Sequence, residues 1–355
     1  MLPEHITLYL TTPLERTERM LREVVRRCGI GASEPYPFVM AVPTTGNDLH
    51  HLIVQLGIAL SPTEQQLTKC WMSLDGNEPS RAQLMQAQSL NELIAWGDSQ
   101  WLTKILQSGL LTTYFQPIVQ IERPAEIVGY ECLLRGLTED GKIIPPDRLY
   151  QAARATGMLY TLDLAAQKTA LRSTAAHQLK GEIFINFNPA AFNRPEKCFE
   201  DTFAYAEELG IAPSRIVFEV VESEETENPR ALAVIMNHCR VAGAKVALDD
   251  LGAGYNSLNL LTFLQPDYIK LDMQLIRHVH RDPYKGLVAA KLLEMARELE
   301  VATVVEGIET EDEWWWMKEH GADYAQGYLF ARPAAQPPMS SFHGAGQATP
   351  HNAPS

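Results

Sequence analysis

Val246-Ala247-Leu248-Asp249-Asp250-Leu251-Gly252-Ala253-Gly254-Tyr255-Asn256-Ser257-Leu258 is the stretch that decides the fold of most of this chain. An apolar run ends on two adjacent carboxylates, a loop with two glycines follows, and an amphipathic segment begins near Asn256. That order reads as strand, tight loop and helix. A parallel strand covered on both faces is apolar throughout, so charge at its downstream end needs a cause other than packing. Six further apolar runs end in the same way, on Glu131, Asn186, Glu219, Lys270, Glu306 and Gln326. In a β/α barrel all downstream strand ends meet on one face, which would gather residues spread over about two hundred positions into one pocket.

Working outward, strand-like runs cover 114–119, 127–134, 183–187, 216–221, 246–250, 268–271, 302–305 and 324–330. Amphipathic helical runs separate most of them, an alternation that favours a closed β/α barrel over an open doubly wound sheet. Between Val119 and Ile127 there is room only for a turn around Glu122-Arg123-Pro124. A parallel crossover needs a dozen residues or more, so the first two strands should pair antiparallel. The fold expected is a modified (β/α)8 barrel of TIM type with an antiparallel first strand, preceded by a small α/β domain.

The domains expected are a small α/β unit over 1–80, a helical connector over 81–108, the barrel over 109–335 and a disordered tail over 336–355. Ile6–Leu10 and Pro37–Val42 read as strands, and 14–28 and 48–60 as helices. Ser61-Pro62-Thr63-Glu64 fits a capping box that opens a helix toward Met72. The stretch 82–106 reads as helical, and the tail is rich in Pro, Ala, Ser, Gly and His. Of three consecutive tryptophans, Trp314, Trp315 and Trp316, helical geometry points each about 100° from the next, which excludes a single stacking platform and makes Trp314 and Met317 core residues.

Acidic residues (44) outnumber Lys and Arg (30), for a formal charge of −14. That balance argues against a DNA-binding protein held by backbone electrostatics. Five scattered cysteines suggest neither a disulfide framework nor a zinc cluster. No apolar stretch approaches the roughly 20 residues that span a bilayer, and no leader pattern is visible. A cytoplasmic, unprocessed chain is expected. Carboxylates and amides without His or Cys suit hard cations such as magnesium or manganese, and adjacent acids such as Asp249 and Asp250 suit two-ion phosphoryl chemistry.

The Asp249–Leu258 stretch resembles the Asp-Asp-Phe-Gly-Thr-Gly-Tyr-Ser-Ser-Leu signature of EAL domains, which are cyclic di-GMP phosphodiesterases. Other positions agree in order: Phe115-Gln116-Pro117, Glu131-Cys132-Leu133-Leu134-Arg135, Asn186, Glu219-Val220-Val221-Glu222, Pro266 to Asp272, Glu306-Gly307-Ile308-Glu309-Thr310 and Gln326-Gly327-Tyr328. The resemblance implies two ions, magnesium or manganese, one held by Glu131, Asn186, Glu219 and Asp249 and the other by Asp249, Asp250 and Glu306. It implies hydrolysis of cyclic di-GMP to linear pGpG by an activated water, with Glu131, Glu306 and Lys270 in catalytic roles. Arg135 is similar to the family's motif arginine and is read as a phosphate clamp. Gln116 and Gln326 are read either as guanine or ligand contacts or as partners of strand-end backbone. Glu222 is implied to steady the Asp250–Gly254 loop. A homodimer formed through the barrel is also implied. Leu251, Ala253 and Val221 depart from the pattern, which keeps open a cyclic di-GMP receptor or interaction module. Cys132 is read as a buried small residue. The residues before the barrel match no motif and are read as regulating the barrel or mediating dimerisation.

Overall fold

The computed structural model describes residues 5–74, 78–80, 83, 87–189, 195–220, 229–252, 257–342 and 344. The chain divides into two compact units, one within 1–108 plus 147–158 and the other within 109–146 plus 159–355.

The first unit is built on a five-stranded antiparallel sheet of β1 (Ile6–Thr11), β2 (Ser33–Tyr36), β3 (Val39–Thr44), β4 (Lys69–Ser73) and β5 (Gln88–Ser89), in the order β2-β3-β1-β4-β5. Ile6, Leu8 and Leu10 alternate toward a core completed by Leu21, Val24 and Val25 from helix Glu15–Arg27 and by Leu49, Leu52, Ile53 and Leu56 from helix Gly46–Ala59. The capping box at Ser61 and Glu64 forms, but its helix ends at Leu67. The segment expected to carry that helix to Met72 is strand β4, whose Cys70 and Met72 turn into the core while its backbone pairs with β1. The 81–108 segment is more than a connector: it supplies β5 and puts Leu90 and Leu93 of helix Leu90–Asp98 into this core. Residues 147–158 belong here too, with the Arg148 guanidinium 5.9 Å from the Trp101 ring.

The second unit is a closed eight-stranded ring. Its strands are β6 (Leu111–Gln120), β7 (Ile127–Leu137), β9 (Glu182–Phe187), β10 (Ile216–Val220), β11 (Lys245–Leu251), β12 (Tyr268–Leu271), β13 (Ala302–Val305) and β14 (Tyr324–Ala325), with β8 (Ile143–Ile144) as a short flap on β7. β6 pairs antiparallel with both β7 and β14, which closes the ring, and every other ring pairing is parallel. The short Val119–Ile127 link forces that antiparallel start, as its length requires. The last strand is shorter than the 324–330 run, because the chain turns at Gly327 to pack beneath Ile308: a Cβ there would lie 2.0 Å from the Ile308 carbonyl oxygen.

Residues 336–342, expected to begin a disordered tail, are packed. Ser341 N donates to Phe330 O at 2.8 Å, the Tyr130 hydroxyl donates to Pro338 O at 3.1 Å, and the Phe342 ring lies 4.9 Å from Trp314. His343 and His351 lie outside the described residues.

Candidate active site

Strand periodicity builds the site. Ile118, Phe184, Val217, Ala247, Tyr268 and Val304 form a buried layer inside the barrel. Two residues further toward the downstream rim, on the same inward face, stand Gln116 (on antiparallel β6), Asn186, Glu219, Asp249, Lys270 and Glu306. Register agrees: Gln116 pairs with Glu131, and Asn186 with Glu219. Apolar residues thus plug the barrel and a polar layer lies on the plug.

At its centre is Lys270, which is 1% exposed. Its ammonium lies 2.6 Å from Glu219 Oε1, 2.6 Å from Glu306 Oε1, 3.1 Å from Asp249 Oδ1 and 4.0 Å from Glu131 Oε1. Gln326 Nε2 donates to Glu131 Oε2 at 2.7 Å and fixes that carboxylate. Strict alternation would turn Asp250 away from Asp249. Instead the pairing of β11 with β12 slips between Leu248 and Leu251, and Asp250 takes the left-handed conformation (φ 55°), with its N–H donating to Asp249 Oδ1 at 3.0 Å. Aspartate tolerates that conformation better than most residues. As a result oxygens of Asp249, Asp250 and Glu306 come within 4.8 Å of one another.

Among the described residues, charge in this layer does not balance: four carboxylates contact one ammonium, and a fifth, Asp250, is close by. Burial and neighbouring acids raise the carboxyl of Glu219 well above its usual range, with Lys270 opposing. Burial pushes Glu306 up to about 8, and burial with Asp249 beside it pushes Asp250 up to about 6. Burial alone would lower Lys270, but the surrounding carboxylates outweigh it and hold the ammonium protonated. Among the described residues, Glu219 Oε1 has its contact with Lys270, whereas buried Glu219 Oε2 and Gln326 Oε1 have no hydrogen-bond partner. Surplus negative charge, oxygen donors throughout and orphaned buried oxygens fit hard divalent cations. Oxygens of Asp249, Asp250 and Glu306 lie close enough together to ligate one ion.

These side chains open on a cavity of about 430 Å³ lined by Gln116, Glu131, Asp249, Asp250, Lys270, Glu306 and Gln326. Gln116 Nε2 also donates to Ala331 O at 3.4 Å. Arg135 is not brought into this lining: its guanidinium donates to Leu134 O at 2.7 Å and lies 5.3 Å from the Tyr114 ring. Glu222, with Val221 and Ala253, lies outside the described residues. Sequence reasoning missed Met273, Arg277, Glu309 and Tyr328, which complete the rim. Glu309 stood in a quoted motif without a role, whereas nothing in the sequence marked Arg277, which pairs bidentately with Glu309. Cys132 is buried, as expected of a small packing residue, and so are Trp314 and Met317.

A family model described as EAL domain matches residues 99–333. The chain is 30% identical over 225 residues, 62% of its length and 42% of the relative's, to a protein named probable cyclic di-GMP phosphodiesterase PdeB of Escherichia coli. It is likewise 30% identical over 221 residues, 61% of its length and 53% of the relative's, to the blue light- and temperature-regulated antirepressor BluF of the same organism. A standalone EAL protein of Vibrio cholerae, solved in a c-di-GMP bound form, superposes with a TM-score of 0.59 at 31% identity over 65% of this chain and 95% of that one. The chain spans about half the length or less of these two curated relatives.

Proposed function

The chain belongs to the EAL domain family, and from that premise we propose that its barrel hydrolyses cyclic di-GMP to linear pGpG with two divalent ions, magnesium or manganese. The observation that carries this reading is the charge imbalance around Lys270, four carboxylates on one buried ammonium. Ions bound there would supply Lewis acidity, lowering the pKa of water and neutralising charge that develops on phosphate oxygens. Glu131, Asn186, Glu219 and Asp249 would hold one ion, and Asp249, Asp250 and Glu306 the other.

The chain's own groups do the rest. A water oxygen attacks phosphorus, the bond from phosphorus to the 3′ oxygen breaks, and that oxygen takes up a proton, leaving the 5′ phosphate of pGpG. Lys270 spaces the carboxylates, and an N–H that turns from one of them orients the water or the phosphate. Gln326 fixes Glu131 in the rotamer seen here. Gln116 and Gln326, on the cavity wall, offer amide contacts to the dinucleotide. Arg135 reaches a phosphate only after leaving the Leu134 carbonyl, so its clamp role requires a rotamer change on binding.

The relative named as an antirepressor favours a second reading, a receptor or interaction module, for which Leu251, Ala253 and Val221 are the altered loop positions. Incubating the full chain with cyclic di-GMP and Mg²⁺ or Mn²⁺ and following pGpG separates the two. Accumulating pGpG supports the hydrolase; tight binding without product overturns it in favour of the receptor.

A further inference from the structure

Helix Glu311–Glu319 starts with a capping box in which Thr310 Oγ1 accepts from Glu313 N at 3.3 Å and Glu313 Oε2 accepts from Thr310 N at 3.1 Å. One returning bond is all a capping-box glutamate needs. Glu313 makes three. Oε2 also accepts from Glu309 N at 3.1 Å, and Oε1 accepts at 2.9 Å from His278 N, in the separate loop that leaves β12. The side chain is wholly buried. Burial pushes its carboxyl upward, and the backbone amides of His278 and Glu309 with both groups of Thr310 outweigh it, leaving it below the usual range.

The two loops so joined form one side of the cavity. Met273 and Arg277 come from the β12 exit, and Glu306, Gly307 and Glu309 from the β13 exit. They touch closely: at Gly307 (φ 67°) a Cβ would stand 2.3 Å from Met273 Cβ. The Arg277–Glu309 ion pair ties them again at the surface, with Nη2 2.8 Å from Oε1. A shift of either loop therefore moves the other, and Glu306 with it.

We propose that Glu313, which neither lines the cavity nor contacts Lys270, is a positioning residue: its bond to His278 N sets the spacing of the β12 and β13 loops and thereby the place of Glu306 among the carboxylates. This rests on reading the cavity as a divalent-metal site. Outer partners of this kind typically govern metal affinity by about 10- to 100-fold.

Glu313→Gln retains an acceptor for the helix start but sets an NH2 group against one of the amide donors, so the cap and the crosslink cannot both survive. Thr310→Ala removes the hydroxyl from the helix start and from the Glu313 carboxyl but leaves the bond to His278 N in place. Mn²⁺ binding to the full chain by calorimetry, without substrate, is expected to weaken about 10-fold or more in E313Q and to stay within about twofold in T310A, even where both lower Tm. E313Q binding Mn²⁺ as tightly as the unmodified chain, or T310A weakening it equally, would overturn the assignment. Absence of Mn²⁺ binding by the unmodified chain would instead overturn the metal reading, and this assignment with it. Amide hydrogen exchange of the unmodified chain gives an independent check if E313Q folds poorly. Slow exchange at His278 is expected, and exchange at the rate of an exposed loop amide would overturn the crosslink.

Discussion

The barrel has a buried or half-buried lysine at each end, and the two are solved differently. At the upstream end, Lys245 pairs with Glu182, and both meet the Tyr268 hydroxyl, which donates to Glu182 Oε2 at 2.7 Å. One cation faces one anion, at 37% and 20% exposure. That end also has a hollow of about 960 Å³, lined by Lys245, Asp267, Tyr268 and Glu300, but Lys245 already has its partner in Glu182 and Asp267 has one in Arg240. At the downstream end, Lys270 is 1% exposed and faces four carboxylates. A self-sufficient pair serves structure, whereas a buried layer with surplus carboxylates has to take up protons or further cations. Charge imbalance, not cavity size, separates the two ends.

The largest expected effect follows from deleting a carboxylate at the unbalanced end. Glu131→Ala should reduce pGpG formation by about 10²- to 10³-fold, the scale lost with one preorganised electrostatic contact; unchanged turnover would break the assignment of this end. Next comes the cation itself. In EDTA, Lys270→Met should destabilise the barrel by about 3–5 kcal/mol, because it strands buried carboxylates, and Mn²⁺ should recover part of that loss. Lys245→Met, at the solvated end, should cost only about 0–1 kcal/mol and be indifferent to Mn²⁺. Equal losses in urea melts of the two variants would erase the comparison.

The smallest effect is on pH. Glu306 and Asp250 stand at about 8 and about 6, above their unfolded values. Metal-free, the folded chain therefore binds more protons than the unfolded chain in that window, and stability present at lower pH is lost as pH rises through those values. In EDTA the barrel's Tm should fall from about pH 6 to about pH 9, and Mn²⁺ should flatten the profile by replacing protons. A Tm that rises over this range without metal would contradict the imbalance.

The barrel was legible because buried parallel strands have a distinctive pattern, and a charged residue two positions beyond an inward apolar one, as with Ala247 and Asp249 or Val304 and Glu306, shows where the strand meets the site. What escaped notice depends on partners in space. Lys69–Ser73 followed a well-capped helix without a break, and only its pairing with β1 makes it a strand. Residues 336–342, in a stretch whose average composition suggests disorder, pack through the Phe342 contact with Trp314 and the bonds of Ser341 and Pro338. The left-handed turn at Asp250, which brings adjacent acids to one side, has no sequence signature of its own. The same holds for Arg277, which acquires meaning only beside Glu309, and for the second oxygen of Glu313.

The central claim, that the downstream layer is unbalanced because it is built for two cations, is tested most directly by titrating Mn²⁺ into the EDTA-treated, dialysed full chain by calorimetry. Two saturable ions per chain are expected, with binding at both sites weakened together in Asp249→Asn, since that carboxylate belongs to both donor sets. No saturable binding, or binding that Asp249→Asn leaves unchanged, would contradict it.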